Sequence, residues 1–176
     1  DVTGDSLANL TGVTEVEIDR STLDSIRIFA GDARLRFVDG FARLDTLHLE
    51  TSALEANGAG ALGLHAAAYD TLRLRVAVDS LGGMRRWLAR ESTDSLAGQA
   101  MLDGVFYGWL RDFAVRGAAT GSGLFARGAS AGSLRVDGVL AGLPRAPRGA
   151  VRVVADSTIV SGLGLTRAIA DVTFHD

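Results

Sequence analysis

The sequence predicts a mostly β protein: an elongated, curved antiparallel sheet with one short α-helix near residues 80–90. Three observations carry that expectation. Apolar and polar residues alternate with a period of two through much of the 176-residue chain, as strands with one greasy and one wet face require. Glycine reaches 22 residues while proline stops at two, against an average glycine usage of about 7%. A tripeptide of Asp, then Ser or Thr, then Leu or Ile recurs at Asp5, Asp24, Asp45, Asp70, Asp79 and Asp94. Side chains of these polar types bond the local backbone and close turns ahead of an apolar alternation.

The elements follow in order. Val16 and Ile18 alternate with Glu15, Glu17 and Asp19. Ile26 and Ile28 flank Arg27, Leu35 and Phe37 flank Arg36, and Leu47 and Leu49 flank His48. Leu72, Leu74, Val76 and Val78 alternate with Thr71, Arg73, Arg75 and Ala77. From Asp79 the rhythm changes, because Met84, Trp87 and Leu88 are spaced i, i+3 and i+4. That spacing reads as a short amphipathic helix to about Arg90, capped by Asp79 or Ser80 and weakened by Gly82 and Gly83. Beyond it, eleven of the 22 glycines fall between Gly98 and Gly149, a density expected at turns and bends between short strands. Leu134 and Val136 alternate with Ser133, Arg135 and Asp137, and Val151 and Val153 flank Arg152. Two modules of one sheet are therefore expected: residues 1–90, a β-meander ending in the helix, and residues 91–176, glycine-rich.

Composition excludes several functions. All 18 basic residues are arginine, 21 acids leave a net charge of −3, and no basic surface for nucleic acid is implied. Zero cysteines remove disulfides, thiolate nucleophiles and cysteine-type zinc sites. No apolar run approaches the roughly 18–20 residues that cross a bilayer. The chain begins at Asp1, so any anchor is expected outside it.

Motifs that suggest enzymes do not survive their context. Gly128-Ala129-Ser130-Ala131-Gly132 spells a nucleophile elbow, followed by Asp156 or Asp171 and then His175. An elbow needs a strand feeding a helix, whereas another strand pattern follows Ser130. Gly121-Ser122-Gly123-Leu124-Phe125-Ala126 matches a permissive dinucleotide fingerprint without a βαβ unit around it. His48, His65 and His175 lack metal-ligand spacing. No catalytic residue, metal or cofactor is expected. The densest apolar patch, Met101 with Phe106, Tyr107, Trp109 and Phe113, reads as a core corner or as the lining of a ligand groove.

Residues 96–112, with Leu96-Ala97-Gly98, Asp103-Gly104 and Gly108-Trp109-Leu110-Arg111-Asp112, resemble the repeat phrase of AsmA-like and TamB-like proteins of Gram-negative envelopes. Residues 133–144, 149–157, 34–40 and 44–49 resemble it too. Gly108-Trp109-Leu110 departs from the phrase, with a large aromatic where a small or polar residue is usual. The resemblance implies a β-taco, or repeating β-groove, in the periplasm, with the parent protein anchored in the inner membrane outside this chain. It implies as partners a phospholipid or other acyl-chain lipid, neighbouring repeats of the parent and an outer-membrane barrel protein.

An alternating sheet hides its apolar face by closing, by stacking on a second sheet, or by enclosing lipid. Phospholipid conduction between the two membranes is the expected function. The candidate groove residues are Ile26, Ile28, Leu35, Phe37, Leu47, Leu49, Leu72, Leu74, Val76, Val78, Leu134, Val136, Val151 and Val153. The alternative is a structural module with a closed core that supports outer-membrane protein biogenesis.

Overall fold

A computed structural model describes residues 2–3, 10–23, 26–84, 96–126 and 128–175. Among them are twelve strands: β1 (Val2–Thr3), β2 (Thr11–Ile18), β3 (Ser21–Leu23), β4 (Ile26–Val38), β5 (Phe41–Thr51), β6 (Leu54–Gly63), β7 (Asp70–Val78), β8 (Leu96–Trp109), β9 (Asp112–Ala126), β10 (Ala129–Leu143), β11 (Arg148–Val160) and β12 (Leu163–Phe174). They form one open antiparallel sheet in the order β1-β2-β4-β5-β6-β7-β8-β9-β10-β11-β12, with β3 beside β4. β2 and β3 lie end to end along β4, since Ile18 pairs Gly31 and Ser21 pairs Ile28. The β7–β8 ladder joins the two halves of the chain.

Local chemistry sets the meander. Asp39-Gly40 turns β4 into β5 with φ of 51° and 76°, and Ser161-Gly162 turns β11 into β12 with 49° and 83°. Two left-handed residues in succession match the twist of the flanking strands. Thr51 Oγ1 accepts from the N–H groups of Ala53 and Leu54 at 3.1 and 2.9 Å and donates to the Leu54 carbonyl at 3.0 Å, closing the β5–β6 turn. Of the recurring Asp tripeptides, Asp70 opens β7, its Oδ1 accepting from Thr71 N–H at 2.7 Å. Asp45 instead lies within β5, where the register against β4 and β6 slips. Asp5, Asp24 and Asp94 fall outside the described residues.

The helix expected near residues 80–90 is not seen among the described residues, which in this stretch run to Met84. Residues 81–84 form turns: Gly83 N–H donates to Ser80 Oγ at 3.1 Å and Met84 N–H to the Leu81 carbonyl at 3.1 Å. Leu81 N–H is drawn away to the Gly98 carbonyl of β8 at 2.9 Å. Gly82 and Gly83 each cost a helix about 1 kcal/mol relative to alanine. Trp87, Leu88 and Arg90 lie outside the described residues.

The glycines also sit elsewhere than expected. Ten of the eleven between Gly98 and Gly149 lie inside strands, and Gly128 alone occupies a turn. Some mark a crease. The β9–β10 and β10–β11 ladders lapse where Gly123, Gly132 and Ser157 stand abreast, with φ of 56° at Gly123 and 53° at Ser157, while β8 shifts register beside Gly98, whose φ is 115°. Such irregularities bend strands and sharpen their twist.

Among the described residues the sheet is a single layer. Substantial contacts between described strands all join ladder neighbours, apart from β6 and β8, which meet at Gly63 and Trp109 past the start of β7. The one buried apolar cluster among the described residues, Ile26, Ala53, Leu54, Ala56 and Met84 with Leu49, Val76 and Val78 packed on it, lies at one end of the sheet. The accessible surface is 10993 Å² for 18.4 kDa, against about 8,200 Å² for a compact monomer of that mass. An uncovered sheet contributes to that excess.

Candidate functional site

Directly opposed residues in a ladder share a face, so the register assigns every side chain to one side. Val16, Ala33, Leu47, Gly58, Leu74, Gly104, Gly117, Gly138, Val151 and Val172 are successive partners across ten strands. On one side of that row runs Ile18, Gly31, Leu49, Ala56, Val76, Leu102, Ala119, Val136, Val153 and Ala170. On the other runs Thr14, Leu35, Leu44, Gly60, Leu72, Phe106, Val115, Leu140, Gly149 and Phe174. Thr14, in the strand beside β4, is the one polar residue among the three rows.

All fourteen candidate residues fall on this face. Nine stand in the three rows, and Ile26, Ile28, Phe37, Val78 and Leu134 stand in the rows that flank them. Ile26 is 3% exposed and the other thirteen are half-buried, as expected of side chains that neighbour one another in a sheet with no described strand stacked above. Leu102, in the middle of the face, is 42% exposed. At about 4.8 Å between strands and 6.8 Å between rows, ten strands and five rows span on the order of 1,200 Å². A soluble monomer rarely exposes a contiguous apolar patch beyond a few hundred Å².

The glycines pave this face rather than interrupt it. A Cβ at Gly58 would meet Leu74 Cδ1 at 3.3 Å and Leu44 Cδ2 at 3.5 Å, and one at Gly104 would meet Phe106 Cε2 at 3.5 Å. Large side chains therefore lie across the gaps that glycines leave. Towards the crease the face deepens into a cavity of about 360 Å³ lined by Leu96, Leu124, Leu134, Ala131, Ala155 and Leu81 among others.

The opposite face is charged. Its central row reads Glu17, Asp32, His48, Asn57, Arg75, Asp103, Ala118, Asp137, Arg152 and Asp171. His48 Nδ1 and Asn57 Oδ1 are 2.8 Å apart. Asp45 accepts from Arg36 Nε and, at 2.6 Å, from Arg36 Nη2, with Arg34 Nε at 3.7 Å. Asp137 accepts from Arg135 Nε at 2.7 Å and Nη2 at 3.0 Å. Most of these pairs are exposed and individually weak.

Two carboxyls are nevertheless shifted. The hydrogen bonds from Arg36, helped by the charges of Arg36, Arg34 and Arg43, hold Asp45 below the usual carboxylate range, and Arg135 does the same for Asp137. A folded value below the ordinary 3.8 means that the stabilisation is present above the unfolded pKa and is lost as pH falls through the folded one. In a titration followed by carboxyl-carbon chemical shift, Asp45 and Asp137 are expected to protonate at lower pH than free aspartates. Midpoints at the ordinary value for both would contradict the pairing.

The motifs that suggest enzymes are placed as follows. Ser130 lies near the start of β10, and its partners are Phe125 and Ile159. Asp156 pairs with Ser133 and Asp171 with Arg152. His175 follows Phe174, which pairs with Gly149, ten positions along β11 from Ile159 and so roughly 33 Å away. The structure does not bring these residues together. Gly121-Ser122-Gly123 lies inside β9 with no helix after it. The aromatic patch is divided between faces: Phe106 and Phe113, with ring centroids 6.1 Å apart, lie on the apolar side, while Tyr107 meets Tyr69 at 6.4 Å and shares the charged side with Met101.

Sequence reasoning missed Leu44, Leu102, Val115, Leu140 and Phe174 as members of the face, and placed Phe106 only in the aromatic patch. The signal was parity. Through β9, Phe113, Val115, Gly117, Ala119 and Gly121 alternate with Ala114, Arg116, Ala118, Thr120 and Ser122, and counting glycine as apolar while leaving alanine neutral exposes the period. Compared with protein-family models, curated proteins and solved structures, the chain has no match.

Proposed function

We propose that this chain is a section of a periplasmic hydrophobic groove that holds and conducts phospholipid acyl chains between the inner and outer membranes. One observation carries the reading: three apolar rows cross ten strands on a face that no second layer of described residues covers. Each methylene withdrawn from water contributes about 0.8 kcal/mol, so a sixteen-carbon chain gains roughly 10 kcal/mol before ordering costs. A uniform apolar wall keeps that gain nearly constant as the chain slides, so movement needs no catalytic residue. Bending at the crease would turn the open face into the trough of a β-taco. The repeat phrases of residues 34–40, 96–112 and 133–144 support the assignment to an AsmA-like or TamB-like envelope protein, with neighbouring repeats and an outer-membrane barrel as further partners.

Purification in mild detergent followed by native mass spectrometry tests this reading. Phospholipid is expected to remain bound in at least equimolar amount. Lipid-free protein, with the apolar face packed on itself, would favour the closed structural module instead.

A further inference from the structure

We propose that the cavity at the crease seats the ester end of an acyl chain, with the Thr158 hydroxyl donating to the ester carbonyl, so that the crease recognises acyl esters over plain hydrocarbon chains. The inference rests on the proposed acyl-binding face and names the chemical group that stops there. Thr158 Oγ1 is buried and has no hydrogen-bond partner among the described residues. Thr158 lines the cavity of about 360 Å³, at the lower end of the roughly 300–1,000 Å³ of small-molecule sites. None of the described residues lining it is charged, and Ser130 is the one other polar residue among them.

The crease is what brings Thr158 to this side. In an unbroken strand residues three apart face opposite ways, yet Ala155 and Thr158 of β11, and Leu134 and Ala131 of β10, line the same cavity. The left-handed φ of 53° at Ser157 and the lapse of the β10–β11 ladder beside it break the alternation. Thr158 then stands directly opposite Ala131, which in turn opposes Leu124. Leu124 leans towards Gly121, where a Cβ would meet its Cδ1 at 2.8 Å, and Gly121 shares a row with Leu134 and Ala155. The cavity is thus continuous with the apolar face. A hydroxyl is costly to bury unpaired in such surroundings, and valine would fill the same space without that cost. The group Thr158 lacks is an acceptor, and an ester carbonyl arriving along the apolar face supplies one without charge. The carboxylate of a free fatty acid would instead bring an unpaired charge to uncharged walls, and a hydrocarbon brings no acceptor at all.

Displacement of a fluorescent fatty probe from delipidated protein, by methyl decanoate and by dodecane, tests the assignment. The two ligands differ in hydration, so the informative quantity is how a substitution changes the affinity for each. Thr158→Val is expected to weaken methyl decanoate about tenfold and to leave dodecane within about twofold. Thr158→Ser, which keeps the hydroxyl, is expected to weaken the ester by less than about threefold. Without ligand, Thr158→Val is expected to melt no lower than the unsubstituted protein, because a methyl group replaces an unpaired hydroxyl. Equal loss of both ligands, ester binding untouched by Thr158→Val, or a lower melting temperature would overturn the proposal, the last because the hydroxyl would already be bonded within the protein. Dodecane binding without a Thr158-dependent response to the ester would remove the crease site and leave the acyl-binding face standing. Failure of both ligands to displace the probe would remove the face and this inference together.

Discussion

Gly60→Ala is expected to destabilise the protein by about 3–5 kcal/mol, lowering its melting temperature by roughly 10 °C. Gly60 has φ of +132°, and a Cβ there would lie 2.1 Å from the Thr71 carbonyl oxygen and 2.7 Å from Leu72 Cα. Both obstacles are backbone of β7, so relief requires the β6–β7 ladder itself to part. Gly149, with φ of +143° and a Cβ position 2.0 Å from the Val139 carbonyl oxygen, is expected to behave likewise. Gly164 supplies the control, because nothing lies within 4 Å of its Cβ position, and Gly164→Ala is expected to change stability by less than about 1 kcal/mol. Urea unfolding of the three variants checks this. Equal midpoints for Gly60→Ala and Gly164→Ala would contradict the account of why glycine stands inside these strands.

Leu74→Asp and Ile26→Asp are expected to separate two properties that a closed core would join. Leu74 is half-buried in the central apolar row, and a carboxylate there can hydrate from the open side, at a cost of at most about 2 kcal/mol. Ile26 is 3% exposed and belongs to the buried cluster with Met84, where a carboxylate is expected to cost about 4 kcal/mol or more. Bound phospholipid in Leu74→Asp is expected to fall at least tenfold while the fold persists, because the charge interrupts the apolar surface proposed to hold acyl chains. Thermal unfolding together with lipid extraction reads both quantities. Cooperative unfolding of Leu74→Asp as severe as that of Ile26→Asp would mean that the central row is covered by protein after all.

Much of the sheet was legible because period two is dictated by the strand itself. Arg27, Arg36, Arg73, Arg75, Arg135 and Arg152 each mark the polar side, and the apolar residues beside them had to share the other. Strand length was harder to read. Ala30-Gly31-Asp32 and Asn57-Gly58-Ala59-Gly60 have the composition of turns, yet they run inside β4 and β6. Glycine there serves close approach between strands and room for neighbouring side chains, and local sequence does not distinguish that use from a turn. Residues 79–84 misled in the opposite sense. The spacing of Met84, Trp87 and Leu88 suited a helix, but the described part of that stretch, up to Met84, forms turns in which Leu81 N–H donates to the Gly98 carbonyl of β8, a contact between segments that spacing alone cannot show. The face as a whole became visible only through register, since Leu35 of β4 and Phe106 of β8 are joined through Leu44, Gly60 and Leu72 on the strands between them.

Site-specific photo-cross-linking tests the central claim most directly. A photoreactive side chain placed in turn at Leu74, Val136, Arg75 and Arg135, in protein purified from membranes, reports which face touches lipid. Phospholipid adducts at Leu74 and Val136, with none at Arg75 and Arg135, are the predicted result. Adducts at all four positions alike, or at none, would contradict it.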